Sequence, residues 1–532
     1  MRAPRIALDP GDGDRPPRAQ HLAEDGTPAG PPLDLPGPAA VAALEAEHAP
    51  RWVLARPRSY RPLLAAGVRL RRAHVVELVE GLLVAADGHA GAPHGLAAAL
   101  DRAAGRVPGP DPRPDDGPPG LFAPGPPRDE LADVVAVHAG QAARPLDARF
   151  RLLVAAESAA GLVAEEMTAA GVPWRADVHD ALLTDVLGPR PALGGPPPRL
   201  AELTADLRAA FGRPVNPDSP AEVLRAFARS GVEVTSTRAW ELRRVDHPAV
   251  APLLEYKELA RLHAAHGWGW LRTWVRPGPD GTGRFRPEYV VGGVVSGRWA
   301  TRGGGALQIP RALRGAVRAD PGWRLVVADA AQLEPRVLAA LSGEHALAPD
   351  EDDLYAALAA REFDGDRATA KLALLSAMYG AGAGQAGELL GRLRHRFPAA
   401  MAYVDGAARA GEEGRLVRSH LGRTCPPARP GDEVPAAARA RGRFTRNFVV
   451  QATAAEWALV LLAELRTALL GTPTELVFFQ HDEVVLHCPA DTAETAADAV
   501  VRAADLAGRR LFGDTPVRFP LAARVVQGYD EG

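Results

Sequence analysis

The chain has 532 residues, 47% hydrophobic and 24% charged, with a net charge of -3, the composition of a soluble globular protein of three or four domains. Its two cysteines, Cys425 and Cys488, form no CxxC pair, which argues against a zinc site or disulfide framework and points to the cytoplasm. No apolar run approaches the roughly 18–20 residues of a membrane span, and the start of the sequence turns acidic and Gly/Pro-rich before an apolar signal segment forms, so neither membrane insertion nor secretion is expected.

In chain order, RWVLA (51–55) and the Ala/Leu/Val-rich stretch to residue 86 predict a short strand and helices. Residues 105–127 hold nine prolines and five glycines and read as a loop or linker, because proline removes a backbone donor and fixes φ. Similar breaks fall at 188–198 and 276–287, and between 150 and 275 apolar residues recur at helical spacing. Strands are predicted at VVGGVV (290–295), WRLVVADA (323–330) and LVFFQHDEVVLHC (476–488). A long helical region separates the last two, broken near Gly380–Gly384 and at 421–435.

Two features of composition stand out. Of 62 basic residues only Lys257 and Lys371 are lysines, and asparagine occurs only at 216 and 447. Beside abundant Ala, Arg, Gly and Pro this is the imprint of a GC-rich genome, and it draws attention to the lysines and asparagines that survive. Residues 297–318 carry five arginines and no acid, and residues 409–446 carry nine arginines against four acids. Such stretches serve as solvated faces, and they also suit a phosphate-backbone groove.

WRLVVADA runs through apolar positions to Asp329 and leads directly into a helical pattern. LVFFQ runs into His481, Asp482 and Glu483 and then VVLHC, which reads as two strands joined tightly with Asp482 at the turn. Each aspartate alone is explained as a helix cap or a turn residue. Brought together they would repel unless divalent cations held them, an arrangement suited to two-metal phosphoryl transfer. Between them, Arg367, Lys371, Leu375 and Tyr379 are spaced four apart and share one helix face. Two cations at the N-terminal end of a helix can grip a triphosphate, with Leu375 and Tyr379 bearing on a base.

These segments resemble motifs A, B and C of family A DNA polymerases, the bacterial DNA polymerase I group. DAAQLEPRVLAALSG (329–343) is similar to DYSQIELRVLAHLSG, and Arg367, Lys371, Tyr379 and Gly380 are in register with R-x-x-x-K-x-x-x-F-G-x-x-Y-G. His481, Asp482 and Glu483 are in register with QVHDELVLE. Ser296-Gly297-Arg298 with LQIP (307–310), and Asn447 to Ala455 against N-x-P-V-Q-G-T-A-A, add to the match. RPVNPDSPAEVLRAF (213–227) and VAPLLEYKELARL (250–262) resemble the thumb helices of the same group, so the likeness spans about 157–532.

The resemblance implies a multidomain right-hand polymerase of mixed α/β and α+β character, with an antiparallel palm sheet and helical fingers and thumb. Residues 1–150 would be a degenerate, RNase H-like 3′–5′ exonuclease domain carrying the loop at 105–127. Residues 151–280 would be the thumb, 281–345 and 440–532 the palm, and 346–439 the fingers. Asp329 and Asp482, with the Ala330 carbonyl, would bind two Mg2+ ions, replaceable by Mn2+. Arg367 and Lys371 would hold the incoming triphosphate, and Gln332, Glu334, Leu375 and Tyr379 would complete the nucleotide site, with Glu334 crowding the sugar 2′ position. Arg298, Arg443, Asn447, Gln451 and His481 would line the primer–template junction. The implied protein is a monomeric, nucleoid-associated polymerase of replication or repair, whose partners are primer–template DNA and deoxynucleoside triphosphates.

Several positions depart from the family pattern. Ala330-Ala331 stands in place of Tyr-Ser, Leu375 in place of phenylalanine, Ser376 and Ala452 in place of glycine, and Tyr355 in place of the usual histidine. Near residue 1 the exonuclease carboxylate pattern is also missing: Asp9 is followed two places on by Gly11, no asparagine precedes 216, and 131–141 offers only Asp133. The rival readings are a polymerase-like protein that grips primed DNA with weakened catalysis, and a metal-dependent nuclease, which leaves the Arg367–Tyr379 face unexplained. A single-subunit RNA polymerase is disfavoured by Glu334.

Overall fold

A computed structural model of the chain describes residues 3–11, 15–112, 129–277, 282–302, 305, 309–348, 351–380 and 385–532. Most of the Pro/Gly-rich stretch 105–127, residues 307 and 308 of LQIP, and residues 381–384 of the break after Gly380 lie outside those residues. The chain forms two compact units, one of Met1–Ala170, Glu288–Ala300 and Val326–Val525, the other of Gly171–Pro287, Thr301–Leu325 and Val526–Gly532.

The first unit begins with a five-stranded sheet in the order Leu33–Asp34, Arg18–Leu22, Arg5–Asp9, Arg51–Leu54, Arg72–Val75. Arg5–Asp9 pairs antiparallel with Arg18–Leu22 and parallel with Arg51–Leu54, which in turn pairs parallel with Arg72–Val75. Trp52, Val53 and Leu54 are all fully buried, the continuous apolar run expected of a strand covered on both faces. The predicted strand and helices over 51–86 are present; the short strands Arg5–Asp9 and Arg18–Leu22 carry too little pattern to be read from sequence.

The rest of the first unit is organised on the helix Pro435–Leu469, which packs on the helices Pro398–Glu412, Ala493–Phe512 and Ala148–Ala170. By length and composition this helix could cross a membrane, yet most of its apolar window is buried inside the protein. The expectation that no segment reaches that length is therefore corrected: alanines and leucines on every face are here the signature of a core helix. Four further strands form a sheet in the order Glu475–Gln480, Glu483–Pro489, Trp323–Ala330, Leu521–Val526. The predicted strand VVGGVV is not one. Only Glu288–Val290 is extended, and the chain then turns because Gly292 and Gly297 take φ values of 62° and 85°.

The second unit holds a three-stranded sheet, Val172–Trp174, Gly283–Phe285 and Val275–Pro277, and helices that include Pro220–Arg229 and Val250–His266. Ser219 caps the first of these helices through the Glu222 N–H. Trp174, Trp270 and Phe285 pack with ring centroids 4.9–5.7 Å apart.

A buried polar network fixes the turn before Arg298. Arg423 pairs with Glu157 at 2.6 Å, both buried, and a Cβ on Gly297 would lie 2.4 Å from the Arg423 Nε, so only glycine fits there. Nearby Glu456, fully buried on the helix Pro435–Leu469, accepts from the Ser419 hydroxyl and the Leu421 N–H. Burial pushes its carboxyl up to about 7, although those two hydrogen bonds and Arg423 oppose the shift. The folded chain therefore holds a proton on Glu456 that the unfolded chain has already released. That stabilisation is complete below the unfolded value and is lost as pH rises through about 7. Denaturant melts should lose stability on the order of 1 kcal/mol between pH 6 and pH 8 from this group, and Glu456→Gln should flatten that slope.

Candidate active site

The two acids predicted to work together are brought to neighbouring strand ends. Leu325 to Ala328 are buried while Asp329, at the end of the strand, is exposed. The hairpin Gln480–Glu483 turns in two residues, and His481 takes the left-handed φ of 59° that such a turn requires at its first position. The Ala330 N–H donates to the Asp482 carbonyl at 3.1 Å, and the Ala331 N–H to that of Pro520 at 3.1 Å. Burial, and next the charge of Asp329, push the Asp482 carboxyl up to about 7, against the pull of Arg298. Burial and Arg298 hold His481 below its usual range.

Beside this junction lies an open cleft of about 150 Å³ whose lining includes Arg298, Gln332, Glu334, Tyr355, Leu375 and Asp482. Glu334 is pinned from two sides: Arg298 pairs with one carboxylate oxygen at 2.5 Å and the Tyr379 hydroxyl donates to the other at 3.3 Å. Gln451 hydrogen-bonds the same tyrosine. Gln332 takes φ 50° at the start of the helix Leu333–Ser342, and its side-chain oxygen accepts the Leu354 N–H at 3.1 Å.

The helix Arg367–Tyr379 forms as its sequence predicts. Asp366 caps it by accepting the Ala368 and Thr369 N–H groups, and Gly380 ends it at φ 73°. Ala370, Ala373, Leu374, Ala377 and Met378 are buried, which turns Arg367, Lys371 and Tyr379 outward and leaves Leu375 half-buried. Arg367 donates to Asp353 at 2.7 Å. Its guanidinium and the Lys371 ammonium lie 5.5 and 6.0 Å from the centre of the Tyr355 ring.

Of the remaining predicted residues, Arg443 sits away from the cleft, against Gly380, where it lines a second groove with Arg394, Arg409 and Arg446. Asn447 lies on the helix Pro435–Leu469 with a buried side-chain oxygen that has no hydrogen-bond partner among the described residues. Two residues escaped the sequence reading. Asp353 pairs with Arg367 and also caps the helix Leu354–Glu362; only the cap could have been read from sequence. Arg336, fully buried, donates to the carbonyls of Ala331, Arg518, Glu351 and Asp352, and so ties the loop after Asp329 to two other segments.

Residues 198–525 match the sequence model of DNA polymerase family A. The chain belongs to that family. It is 29% identical over 324 residues to DNA polymerase I of Chloroflexus aurantiacus, which covers 54% of this chain and 33% of that relative. To the thermostable DNA polymerase I of Thermus thermophilus it is 28% identical over 334 residues, 57% of this chain and 38% of the relative. The chain thus matches only about a third of the length of these curated family members. Its fold is that of the POL domain of Pol1 from M. smegmatis, solved in complex with DNA primer-template and dNTP: the TM-score is 0.71 at 18% identity, over 99% of this chain and 95% of that one.

Replacing Arg336 by methionine would strand its four carbonyl acceptors. Arg336→Met should destabilise the fold by about 3 kcal/mol, read as a lowered denaturation midpoint, whereas Arg367→Met on the exposed helix face should leave the midpoint nearly unchanged.

Proposed function

We propose that the chain is a DNA-directed DNA polymerase that adds deoxynucleotides to a primer 3′ end under the direction of a template. The observation that carries this reading is the junction of Asp329 and Asp482, fastened by the Ala330–Asp482 hydrogen bond, beside a cleft that also takes in the Arg367–Tyr379 helix. Family membership and the DNA polymerase I relatives support it.

The donor set fits hard divalent cations, Mg2+ with Mn2+ as a substitute. Asp329 and Asp482 are close enough for one charge to raise the other's pKa, a repulsion that cations relieve. Among the described residues no group of three or more His, Cys, Asp or Glu gathers, so these two carboxylates and the Ala330 carbonyl would supply part of the shell and nucleotide phosphates the rest. Bound ions would supply activation of the primer hydroxyl and stabilisation of the leaving oxygen.

The chain's own side chains do the remaining work. Arg367 and Lys371 hold the triphosphate and offset the charge that develops on it. Glu334, fixed by Arg298 and Tyr379, fills the space a ribose 2′-hydroxyl would need. Leu375 packs beside the nascent base pair without the flat face of a ring. Gln332 orders the nucleotide side of the cleft, Arg298, Asn447, Gln451 and His481 serve the primer–template junction, and Arg443 would meet the same DNA from the second groove that it lines with Arg394, Arg409 and Arg446. The thumb, palm and fingers boundaries given above belong to the same reading.

The N-terminal sheet is read as an exonuclease-like domain without exonuclease activity. Its strand order, with one antiparallel and one parallel half, supports an RNase H-like fold. Carboxylates near its strand ends are paired with arginines: Arg56 bridges Glu77 at 3.0 Å and Glu130 at 3.4 Å, and Arg18 pairs with Asp129 at 3.0 Å. A guanidinium between two carboxylates occupies the electrostatic role a cation would fill.

Purified protein with Mg2+ should extend a primed template, and Asp329→Asn or Asp482→Ala should abolish extension with little change in primer–template affinity, because phosphate contacts carry the grip. Near-normal extension by Asp329→Asn would refute the metal assignment. Glu334→Ala should admit ribonucleotides, and Leu375→Phe should sharpen mismatch discrimination by about tenfold at most, both measured by single-turnover incorporation. Release of 3′-terminal nucleotides from single-stranded DNA should be absent; metal-dependent release that survives Asp329→Asn would overturn the reading of the N-terminal domain.

A further inference from the structure

We propose that Tyr355 is the positioning residue for the triphosphate end of the site: the face of its ring is a shared floor under Arg367 and Lys371, and it holds both cations toward the cleft. This rests on the polymerase reading and names what orders its nucleotide grip.

Arg367 and Lys371 stand one helical turn apart and carry the same charge, so each repels the other from any common target. Asp353 pairs with Arg367 at 2.7 Å, while Lys371 makes no ion pair among the described residues. Both cations lie at 5.5 and 6.0 Å from the Tyr355 ring centre, inside the range at which an aromatic quadrupole attracts a cation. A second carboxylate in that place, beside Asp353, would also gather them, but it would neutralise the remaining positive charge a phosphate is meant to meet. An aromatic face attracts both and neutralises neither.

The ring is built to stay put. Tyr355 is buried at the start of the helix Leu354–Glu362 and lines the cleft. The backbone just before it is gripped from outside the helix: Gln332 accepts the Leu354 N–H, and Arg336 donates to the carbonyls of Glu351 and Asp352. Burial and the field of Glu334 push the phenol up to about 12, so the ring carries no charge in the working range of pH. Nucleotide affinity should therefore follow the electron density of this one ring.

The test uses the full chain on primed DNA with Mg2+, reading the nucleotide Kd and the maximal incorporation rate separately, together with the primer–template Kd. Tyr355→Leu should raise the nucleotide Kd about 5- to 30-fold and leave the primer–template Kd unchanged, and Tyr355→Phe should recover most of the loss. Phenylalanine carrying one, two and three ring fluorines at position 355 keeps shape and burial nearly constant while draining the ring face. The nucleotide Kd should climb stepwise along that series, which decides the matter even if the leucine variant fails to fold. A flat series, or a leucine variant with wild-type nucleotide affinity, would overturn the role of Tyr355 while wild-type incorporation upholds the polymerase reading. Absence of incorporation by the wild type would overturn both.

Discussion

One hydrogen bond, from the Ala330 N–H to the Asp482 carbonyl, sets the geometry on which the site depends. It joins the end of a strand to the turn of a hairpin, and both positions carry an acid. A sheet registers its strands through the backbone, so the separation of the two carboxylates is fixed by main-chain bonding and not by flexible side chains. The same junction explains how two departures are tolerated: Ala330 and Ala331 contribute their N–H groups here, and any residue but proline supplies those.

Around that fixed point the side chains are held in pairs of opposite character. Glu334 is clamped between a guanidinium and a phenol, and Arg367 between Asp353 and an aromatic face. Such clamps lower the conformational freedom a long side chain loses when a ligand arrives. Arg336 serves the backbone in the same way. It is fully buried and gathers carbonyls from three separate segments, so the loop after Asp329 and the segment that carries Asp353 and Tyr355 are held to one group.

What could be read in advance was what depends on near neighbours. The strand ending at Asp329, the hairpin at Asp482 and the helix face of Arg367, Lys371, Leu375 and Tyr379 are written in local hydrophobic pattern and i, i+4 spacing. The VVGGVV segment misled because glycine permits a strand and a turn alike, and the packing of Gly297 against Arg423, far along the chain, decides for the turn. The helix Pro435–Leu469 misled because alanine reads as neutral until its burial is seen. The clamps were out of reach for a different reason. Glu157 and Arg423, or Arg336 and Arg518, are distant in sequence, and no periodicity links them.

The claim at the centre of this account is that the Asp329–Asp482 junction is a site for divalent cations. Counting Mn2+ bound to the chain by electron paramagnetic resonance, with primed DNA and a non-hydrolysable nucleotide present, tests it without requiring turnover. Two tightly bound ions in the wild type, both lost or greatly weakened in Asp482→Asn, is the predicted result. Unchanged Mn2+ binding in Asp482→Asn would contradict the account.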